Sequence, residues 1–384
     1  MKLTKRQFLA ATSGVFCGLA SPFQLNIAQA DDGFIDIVAQ ETEIKLHPSV
    51  PASTLWTYNG LNPGQEIRVK QGERVKVRFT NKLSEPTSIH WHGIRIVNNM
   101  DGVSGLTQNP VAPNETFEYD FIAPDAGTYW YHAHNESWNQ VARGLYGSLI
   151  VEEPYPAFDL KNDMTLIIDD WRLKQDGTLD TDSIGSLMDW THGGRLGNYI
   201  TVNGEYLPTI KLKKGQAFRL RLINVANARV LAIDPNKFGA IVIAYDGQPL
   251  PTPKKLPYQP LLLGPSQRVD LQMIPSQSGV YSFEDLSNDT PYEFAKFEVE
   301  DAIEVVSSTI ILKSNKLPEP NLNNPKTFVL KMTGGAMGSI GDVTYNGKPM
   351  EREDFRTTKQ AWAFNGVANL AKDPFLAYSA GKRF

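Results

Sequence analysis

The sequence predicts an all-β fold made of β-sandwich units that recur along the chain. Short runs rich in valine, isoleucine, threonine and aromatic residues alternate with turn signals such as Asn59-Gly60 and Asn62-Pro63-Gly64, a pattern typical of sandwiches and barrels. Long stretches of helical periodicity are missing from the sequence. One sequence pattern also occurs twice in full and begins a third time, so we expect two complete units in tandem and a partial third.

Length and composition fit a globular chain of several domains. The 384 residues, at 42.8 kDa, are enough for two or three domains. A hydrophobic content of 41%, with 25 prolines and 30 glycines, indicates a folded protein rich in turns. The net charge is -4, so nothing suggests nucleic acid or an anionic membrane surface as a partner.

Residues 1–30 are expected to be an export signal. The basic start Lys2 to Arg6 leads into the apolar run Phe8 to Pro22, and Ala28-Gln29-Ala30 fits a small-x-small cleavage site. The segment from Thr4 to Leu9 resembles the twin-arginine export motif, with Lys5 in place of the first arginine. This departure keeps export of an unfolded chain open as an alternative route. We expect a periplasmic or otherwise exported protein.

The apolar run of the signal is shorter than the roughly 20 residues that a membrane span needs. We therefore expect no membrane span in the mature chain, the alternative being an N-terminal anchor. Cys17 is the only cysteine and lies inside the signal. The mature chain is then expected to contain neither a disulfide nor a thiolate metal ligand.

The internal repeat begins with a strand of alternating character. Gly72 to Asn81 matches Gly215 to Asn224, with valine or leucine on one face and basic residues on the other. An Asn-Gly pair precedes each copy, at residues 59 and 203. A later proline is followed in both units, fourteen residues on, by a Gly-x-Tyr: Pro113 with Gly127, and Pro265 with Gly279. We assign residues 31–153 and 154–312 to the two complete units.

Residues 313–384 are expected to begin a third unit. A linker-like segment, 316–325, precedes a further Asn-Gly at Asn365, and Gly381 follows sixteen residues later, where the repeat places its strand-opening glycine. The chain ends at Phe384. We therefore expect a third unit cut off near its middle, with unpaired strand edges and exposed apolar surface.

Four of the six histidines lie in two short motifs of the first unit, His90-Trp91-His92 and His132-Ala133-His134. In a strand, positions i and i+2 face the same way, so each motif offers two imidazoles to one face. Two such strands side by side would gather four imidazoles, which suit copper, zinc, iron or nickel. In the second unit, Glu284 stands where the repeat places His132. His47 and His192 are expected to be surface histidines.

The motifs His90-Trp91-His92-Gly93 and Trp130-Tyr131-His132-Ala133-His134, within this repeat, resemble the multicopper oxidases, in particular the bacterial, exported laccase-like group. Asp101-Gly102-Val103 and Gly144-Leu145-Tyr146-Gly147 also fit. The resemblance implies tandem cupredoxin-like Greek-key β-sandwich domains. It also implies a trinuclear copper site, with His90 as a type 2 copper ligand and His92, His132 and His134 as type 3 ligands. Asp101 would assist proton delivery, unless it is simply a turn residue.

The resemblance further implies that dioxygen and a small reducing substrate (a phenol, an amine or a metal ion) are the partners. In that family the other four cluster histidines and all type 1 copper ligands lie later, whereas here no histidine follows His192 and no cysteine follows Cys17. We therefore expect an incomplete trinuclear site and no turnover by this chain alone. The alternatives are a copper-free structural or binding protein of the cell envelope, a zinc or mononuclear site, and an oxidase completed by trimerisation.

Overall fold

The computed structural model describes residues 33–256, 260–302, 308–318, 322–323, 325–338, 341–358 and 360–368. The predicted export signal with Cys17, and Gly381, lie outside these residues. Within them, the prediction of an all-β fold is confirmed, since strands dominate and helices are short.

The first group of strands forms two four-stranded sheets packed face to face, here called the first sandwich. One sheet has the order β2-β1-β4-β6 and the other β3-β8-β7-β5. The strands are β1 (Ile35–Ile44), β2 (Ser53–Tyr58), β3 (Gly64–Lys70), β4 (Arg74–Asn81), β5 (Ile89–His92), β6 (Thr116–Ile122), β7 (Gly127–Ala133) and β8 (Tyr146–Glu152).

The core of the first sandwich follows from the two-residue period of its strands. Val75, Val77 and Phe79 of β4 are buried, whereas Lys76 and Arg78 between them are only partly so. Trp91 of β5 and Tyr131 of β7 reach the same core from the opposite sheet. The side chains between them on those two strands must therefore point away from this core.

The second group of strands forms the second sandwich. A six-stranded sheet of order β10-β9-β12-β17-β14-β15 packs on a three-stranded sheet of order β11-β19-β18, beside the pair β13-β16. The strands are β9 (Asp163–Trp171), β10 (Tyr199–Val202), β11 (Thr209–Lys213), β12 (Phe218–Asn224), β13 (Leu231–Ile233), β14 (Ile241–Tyr245), β15 (Gln248–Lys254), β16 (Leu261–Leu263), β17 (Arg268–Met273), β18 (Gly279–Asp285) and β19 (Tyr292–Glu300).

The two sandwiches share their pairing pattern. In each, the first strand runs parallel to the strand of the sequence repeat, as β1 does with β4 and β9 with β12. The repeat strand then pairs antiparallel with the strand that follows the repeated proline, β6 or β17. The repeated sequence pattern therefore corresponds to equivalent strands in space.

The repeated Asn-Gly pairs form one kind of turn at three places. Asn59, Asn203 and Asn365 have φ values of 56°, 51° and 48°, and the glycine after each also has a positive φ, as a type I′ turn requires. Each asparagine Oδ1 accepts a hydrogen bond from the backbone N–H of an earlier residue, Val38, Ile167 or Lys331. Asparagine serves here both for its left-handed backbone and for its side-chain acceptor.

The remaining elements are short. Two-stranded pairs join β20 (Met332–Gly334) to β23 (Trp362–Phe364), and β21 (Thr344–Tyr345) to β22 (Lys348–Pro349). The α-helices are α1 (Ser137–Gln140), α2 (Leu187–Thr191) and α3 (Arg352–Thr358). Single 3-10 turns cover Asn98–Met100, Val141–Arg143, Leu160–Asn162 and Pro235–Phe238. In the described parts of the chain, every helix is too short or too polar to cross a membrane.

Large apolar side chains are exposed around β20 and β23. Val329 and Met337 are 77% and 96% exposed, and Phe328, Leu330, Met332, Phe364 and Val367 are each at least 40% exposed. Trp362 contacts α2, because its indole N–H donates to the Trp190 carbonyl at 2.8 Å. This last segment therefore touches the second sandwich while leaving apolar surface open to solvent.

The two sandwiches meet through an apolar layer and a buried ionic network. Trp130 and Tyr146 of the first sandwich pack with Ile167, Trp171 and Ile223 of the second. A separate ionic network, the interface network, consists of Thr128, Glu153, Asp163, Arg219, Arg221 and Asp270. Together, the apolar layer and the interface network hold β7, the strand that carries His132, against the second sandwich.

Candidate metal centre

Strands β5 and β7 lie side by side and bring the two histidine motifs together. They pair antiparallel with His90 opposite His132 and Trp91 opposite Tyr131. Because Trp91 and Tyr131 fill the core of the first sandwich, the histidines on the same strands point to the other face. His134 follows directly after the end of β7. The structure thus brings together all four histidines that the sequence predicted.

The imidazole rings form one compact cluster. The Nδ1 atom of His92 lies 3.3 Å from the Nε2 atom of His132. One ring nitrogen each from His90, His92 and His132 fall within 4.8 Å of one another. The ring of His134 lies 5.0 Å from that of His90 and 5.8 Å from that of His132, centre to centre. The four rings therefore lie in one cluster, and three of them bring ring nitrogens close enough to share a metal ion.

Backbone carbonyls fix the orientation of two rings. The Nδ1 atom of His132 donates to the carbonyl of Ala133 at 2.8 Å, and the Nδ1 atom of His90 donates to the carbonyl of Asp101 at 2.7 Å. With a proton held on Nδ1, each of these rings offers the lone pair of Nε2 to a metal ion. The Asp101 carboxylate lies close as well, with Oδ1 3.5 Å from Nδ1 of His90.

The environment keeps the rings of His90, His92 and His132 neutral. Burial lowers the pKa of His92 to about 3, helped by the positive charge of Arg268. Burial also lowers the pKa of His132, and the nearby histidines lower it further. For His90, burial lowers the pKa although Asp101 acts to raise it. Neutral imidazole is the form that binds metal, so protons compete poorly for these three rings at neutral pH.

The distances fit a transition-metal ion held by imidazole. Two nitrogens bound to one ion at about 2.0–2.1 Å in a tetrahedral arrangement lie roughly 3.3 Å apart. The observed separation of His92 Nδ1 and His132 Nε2 is the same, 3.3 Å. At this distance the two nitrogens share a direct hydrogen bond when no metal is bound. Imidazole donors suit copper, zinc, iron or nickel, so the donor set is compatible with copper.

Trp130 covers one side of the cluster. Its indole stacks on the His132 ring at 4.1 Å between ring centres, with 29° between the planes, and lies 5.2 Å from the His92 ring. Trp130 is 2% exposed. It therefore shields both rings from water and restricts their rotation.

Gly102 sets the distance between the Asp101 loop and β5. Its φ is +78°, and a Cβ atom there would lie 1.7 Å from the Ile89 carbonyl oxygen. Any side chain would force the loop away from β5, and with it the carbonyl that orients His90. The family resemblance pointed to this residue, but its close approach to β5 is visible only in the structure.

Replacing Gly102 with alanine is expected to lower the free energy of unfolding by more than about 1 kcal/mol, through strain and collision. Gly105→Ala is the matched control, because Gly105 has a φ of +77° and a Cβ atom added there would meet nothing within 4 Å. Urea unfolding of both variants separates strain from collision. Equal losses in the two variants would show that the contact with Ile89 is unimportant.

Arg268 of the second sandwich also reaches the histidine cluster. A Cβ atom on Gly93, the residue after His92, would lie 2.1 Å from the Arg268 Nη2 atom. Arg268 was not expected from the sequence, because its position depends on how the two sandwiches pack. Its place at the start of β17, the strand that follows the repeated proline, gave no sign of a role in the histidine site.

The other residues singled out from the sequence lie elsewhere. His192 is exposed and its Nδ1 donates to the Met188 carbonyl at 3.0 Å. His47 is half-buried at the surface, with its ring edge on Tyr206. Glu284 lies on β18 of the second sandwich. None of these three belongs to the cluster formed by His90, His92 and His132.

Several known proteins are similar to this chain in sequence. A family model described as multicopper oxidase matches residues 39–156. The multicopper oxidase mco of Staphylococcus epidermidis is 30% identical over 352 residues, which cover 88% of this chain and 72% of that protein. The multicopper oxidase MmcO of Mycobacterium tuberculosis is 31% identical over 258 residues, 60% of this chain and 50% of that protein.

Solved structures agree with these relatives. A multi-copper oxidase from Pseudomonas thermotolerans matches with a TM-score of 0.71 and 33% identity, over 78% of this chain and 71% of that one. Lac15 from a marine microbial metagenome matches with a TM-score of 0.65 and 37% identity, over 75% of this chain and 73% of that one. The chain spans about half the length of MmcO, and the match to a copper resistance protein A homolog of Pseudomonas syringae covers 23% of that protein.

Proposed function

The chain belongs to the multicopper oxidase family, and on that premise we propose that its histidine cluster binds copper as part of an oxidoreductase. The observation that carries the proposal is the convergence of neutral imidazoles, with His92 Nδ1 3.3 Å from His132 Nε2. The proposed reaction is one-electron oxidation of a phenol, an amine or a metal ion, coupled to reduction of dioxygen to water.

The geometry supports separate roles for the four histidines. His92 and His132 face each other across a space that suits one metal ion, and we assign them with His134 to the type 3 pair. His90 is oriented separately by the Asp101 carbonyl, which supports its assignment to the type 2 copper. Bound copper would supply one-electron chemistry toward dioxygen.

The protein groups around the site have distinct tasks in this proposal. Trp130 excludes water from the rings of His92 and His132. The Asp101 carbonyl holds the proton of His90 on Nδ1, leaving Nε2 free to bind. The carboxylate of the same residue is half-buried beside the cluster, where it is placed to hold or pass a proton that dioxygen reduction consumes.

We assign no oxidase turnover to these 384 residues alone. In the family, eight histidines hold the trinuclear site and a cysteine thiolate holds the type 1 copper that receives electrons. This sequence has six histidines, of which four form the cluster, and its one cysteine is Cys17. A thiolate is needed for a blue-copper site. Electron entry from the reducing substrate would therefore be lacking.

Copper loading of the purified chain tests both parts of the proposal. After incubation with Cu²⁺ and removal of the excess, we expect bound copper with the electron paramagnetic resonance of nitrogen ligation. We expect no intense blue absorption and no dioxygen uptake with phenolic or cuprous substrates. A chain that binds no copper would contradict the copper site and favour a structural envelope protein. Sustained dioxygen uptake would contradict the absence of turnover.

The domain division and the export of the chain are also part of the proposal. Domains at residues 31–153, 154–312 and from 313 onward are supported by the three equivalent asparagine turns. Export to the periplasm is supported by the signal-like sequence of residues 1–30. It would place the copper site where metal ions and phenols from outside the cell are encountered.

A further inference from the structure

Arg268 lies at the junction between the second sandwich and the histidine cluster of the first. It is 4% exposed, and its Nη2 atom lies against Gly93, the residue that follows His92. Glycine suits position 93 because its φ is +88°, and a Cβ atom there would force the guanidinium to shift. The two sandwiches thus fit each other at the ligand strand, and the fit places a positive charge beside His92.

The guanidinium is held firmly in that position. Its Nε donates to the Thr128 carbonyl at 3.3 Å, at the start of the strand that carries His132. Its Nη1 donates to the Ser266 carbonyl at 3.0 Å, and its Nη2 to the Asp246 carbonyl at 3.1 Å. An arginine with these contacts cannot swing away from the cluster without leaving carbonyls unpaired.

The charge of Arg268 is only partly balanced. Its carboxylate partner is Asp246, whose Oδ1 lies 3.1 Å from Nη1 and whose side chain is 48% exposed. Water therefore screens the carboxylate, while the guanidinium is buried on the side of Gly93. The nearby buried Asp270 is already paired with Arg219 and Arg221. The positive charge of Arg268 therefore acts on the neighbouring His92, where it lowers the pKa of the imidazole.

We propose that Arg268 is a positioning residue for the copper ligand His92, and that its charge favours the cuprous over the cupric form of the bound ion. The proposal rests on the copper site of the proposed function. Cu²⁺ and Cu⁺ differ by one unit of positive charge, so a fixed cation nearby opposes binding of Cu²⁺ more strongly than binding of Cu⁺. The second sandwich, which supplies no ligand to the described cluster, would in this way adjust the copper site.

The test compares the two copper affinities in matched variants. Dissociation constants for Cu⁺ (anaerobic, against a coloured chelator) and for Cu²⁺ are measured at one pH for the unsubstituted chain, Arg268→Met, Arg268→Lys and Asp246→Asn. We expect Arg268→Met to shift the ratio of the two constants toward Cu²⁺ by about tenfold or more. Arg268→Lys should restore most of the ratio. Asp246→Asn should shift it toward Cu⁺.

Shifts of opposite sign separate a charge effect from simple loss of structure. The amide introduced by Asp246→Asn would keep the side-chain oxygen that accepts from the backbone N–H of Arg268, and asparagine tolerates the φ of +47° found there. If Arg268→Met and Asp246→Asn both bind copper with an unchanged ratio of the Cu⁺ and Cu²⁺ dissociation constants, the role of Arg268 is overturned, while the copper site itself stands. Failure of the unsubstituted chain to bind either ion would overturn the copper site itself, and the role of Arg268 with it.

Discussion

Replacing Arg221 with methionine is expected to lower the free energy of unfolding by about 3 kcal/mol or more, the usual cost of removing one partner of a buried ion pair. Arg221 is fully buried and donates to Asp163 at 2.6 and 2.8 Å. Its Nη1 also donates to Thr128 of the first sandwich at 2.8 Å. The substitution leaves buried acceptors without their donor.

Arg74→Met is the matched control for this experiment. Arg74 also forms an ion pair with an aspartate, Asp120, but its side chain is 62% exposed. Water can replace the lost partner there, so we expect little change. Urea unfolding monitored by tryptophan fluorescence compares the two variants. Similar small effects at both positions would show that the interface network does not stabilise the chain.

The same network should give the stability a dependence on acid. Burial would by itself raise the pKa of Asp163, but its ion pairs, chiefly with Arg221, hold that pKa well below its usual range. The unfolded chain then binds a proton near pH 4 that the folded chain does not. Stability from Asp163 is therefore complete above about pH 4 and declines below it. The difference in the free energy of unfolding between the unsubstituted chain and Arg221→Met should become smaller over that acidic range.

Much of the fold could be predicted from local sequence, because its signals are local. The strand period of two puts His90 and His92 on one face whatever the surroundings. The Asn-Gly turns need only a left-handed asparagine followed by glycine, and all three have it. The family resemblance implied that both histidine motifs serve one copper site, and the structure pairs the two strands with His90 opposite His132.

What could not be predicted depends on contacts between the sandwiches. Arg219 and Arg221 alternate with leucines, which indicates a strand with one basic face. In the structure both faces of β12 are buried, because the basic face lies against Thr128 and Glu153 of the first sandwich. Arg268 lies beside His92 for the same reason. Sequence periodicity shows which residues share a face, but not what covers that face.

Replacing His132 with phenylalanine is expected to weaken copper binding by more than about a hundredfold, which exceeds the usual effect of changing a neighbour of a ligand. The phenyl ring can keep the stacking on Trp130, and the Ala133 carbonyl keeps a hydrogen bond from Ser137 Oγ at 3.2 Å. The fold should therefore survive while the Nε2 donor is lost. His192→Phe, at an exposed histidine, is the matched control and should leave copper binding unchanged.

Acid unfolding of the metal-free chain gives His132→Phe a second, independent readout. Burial lowers the pKa of His132 in the folded chain, whereas an unfolded histidine titrates near pH 6.5. The unfolded chain therefore binds more protons below about pH 6.5, and stability falls as the pH is lowered. His132→Phe removes this contribution, so its stability should fall less between about pH 7 and pH 5 than that of the unsubstituted chain. Copper binding retained equally in His132→Phe and His192→Phe would instead place the metal outside the cluster. An unchanged slope with pH would show that the His132 ring is not held neutral, and that protons compete with metal for it.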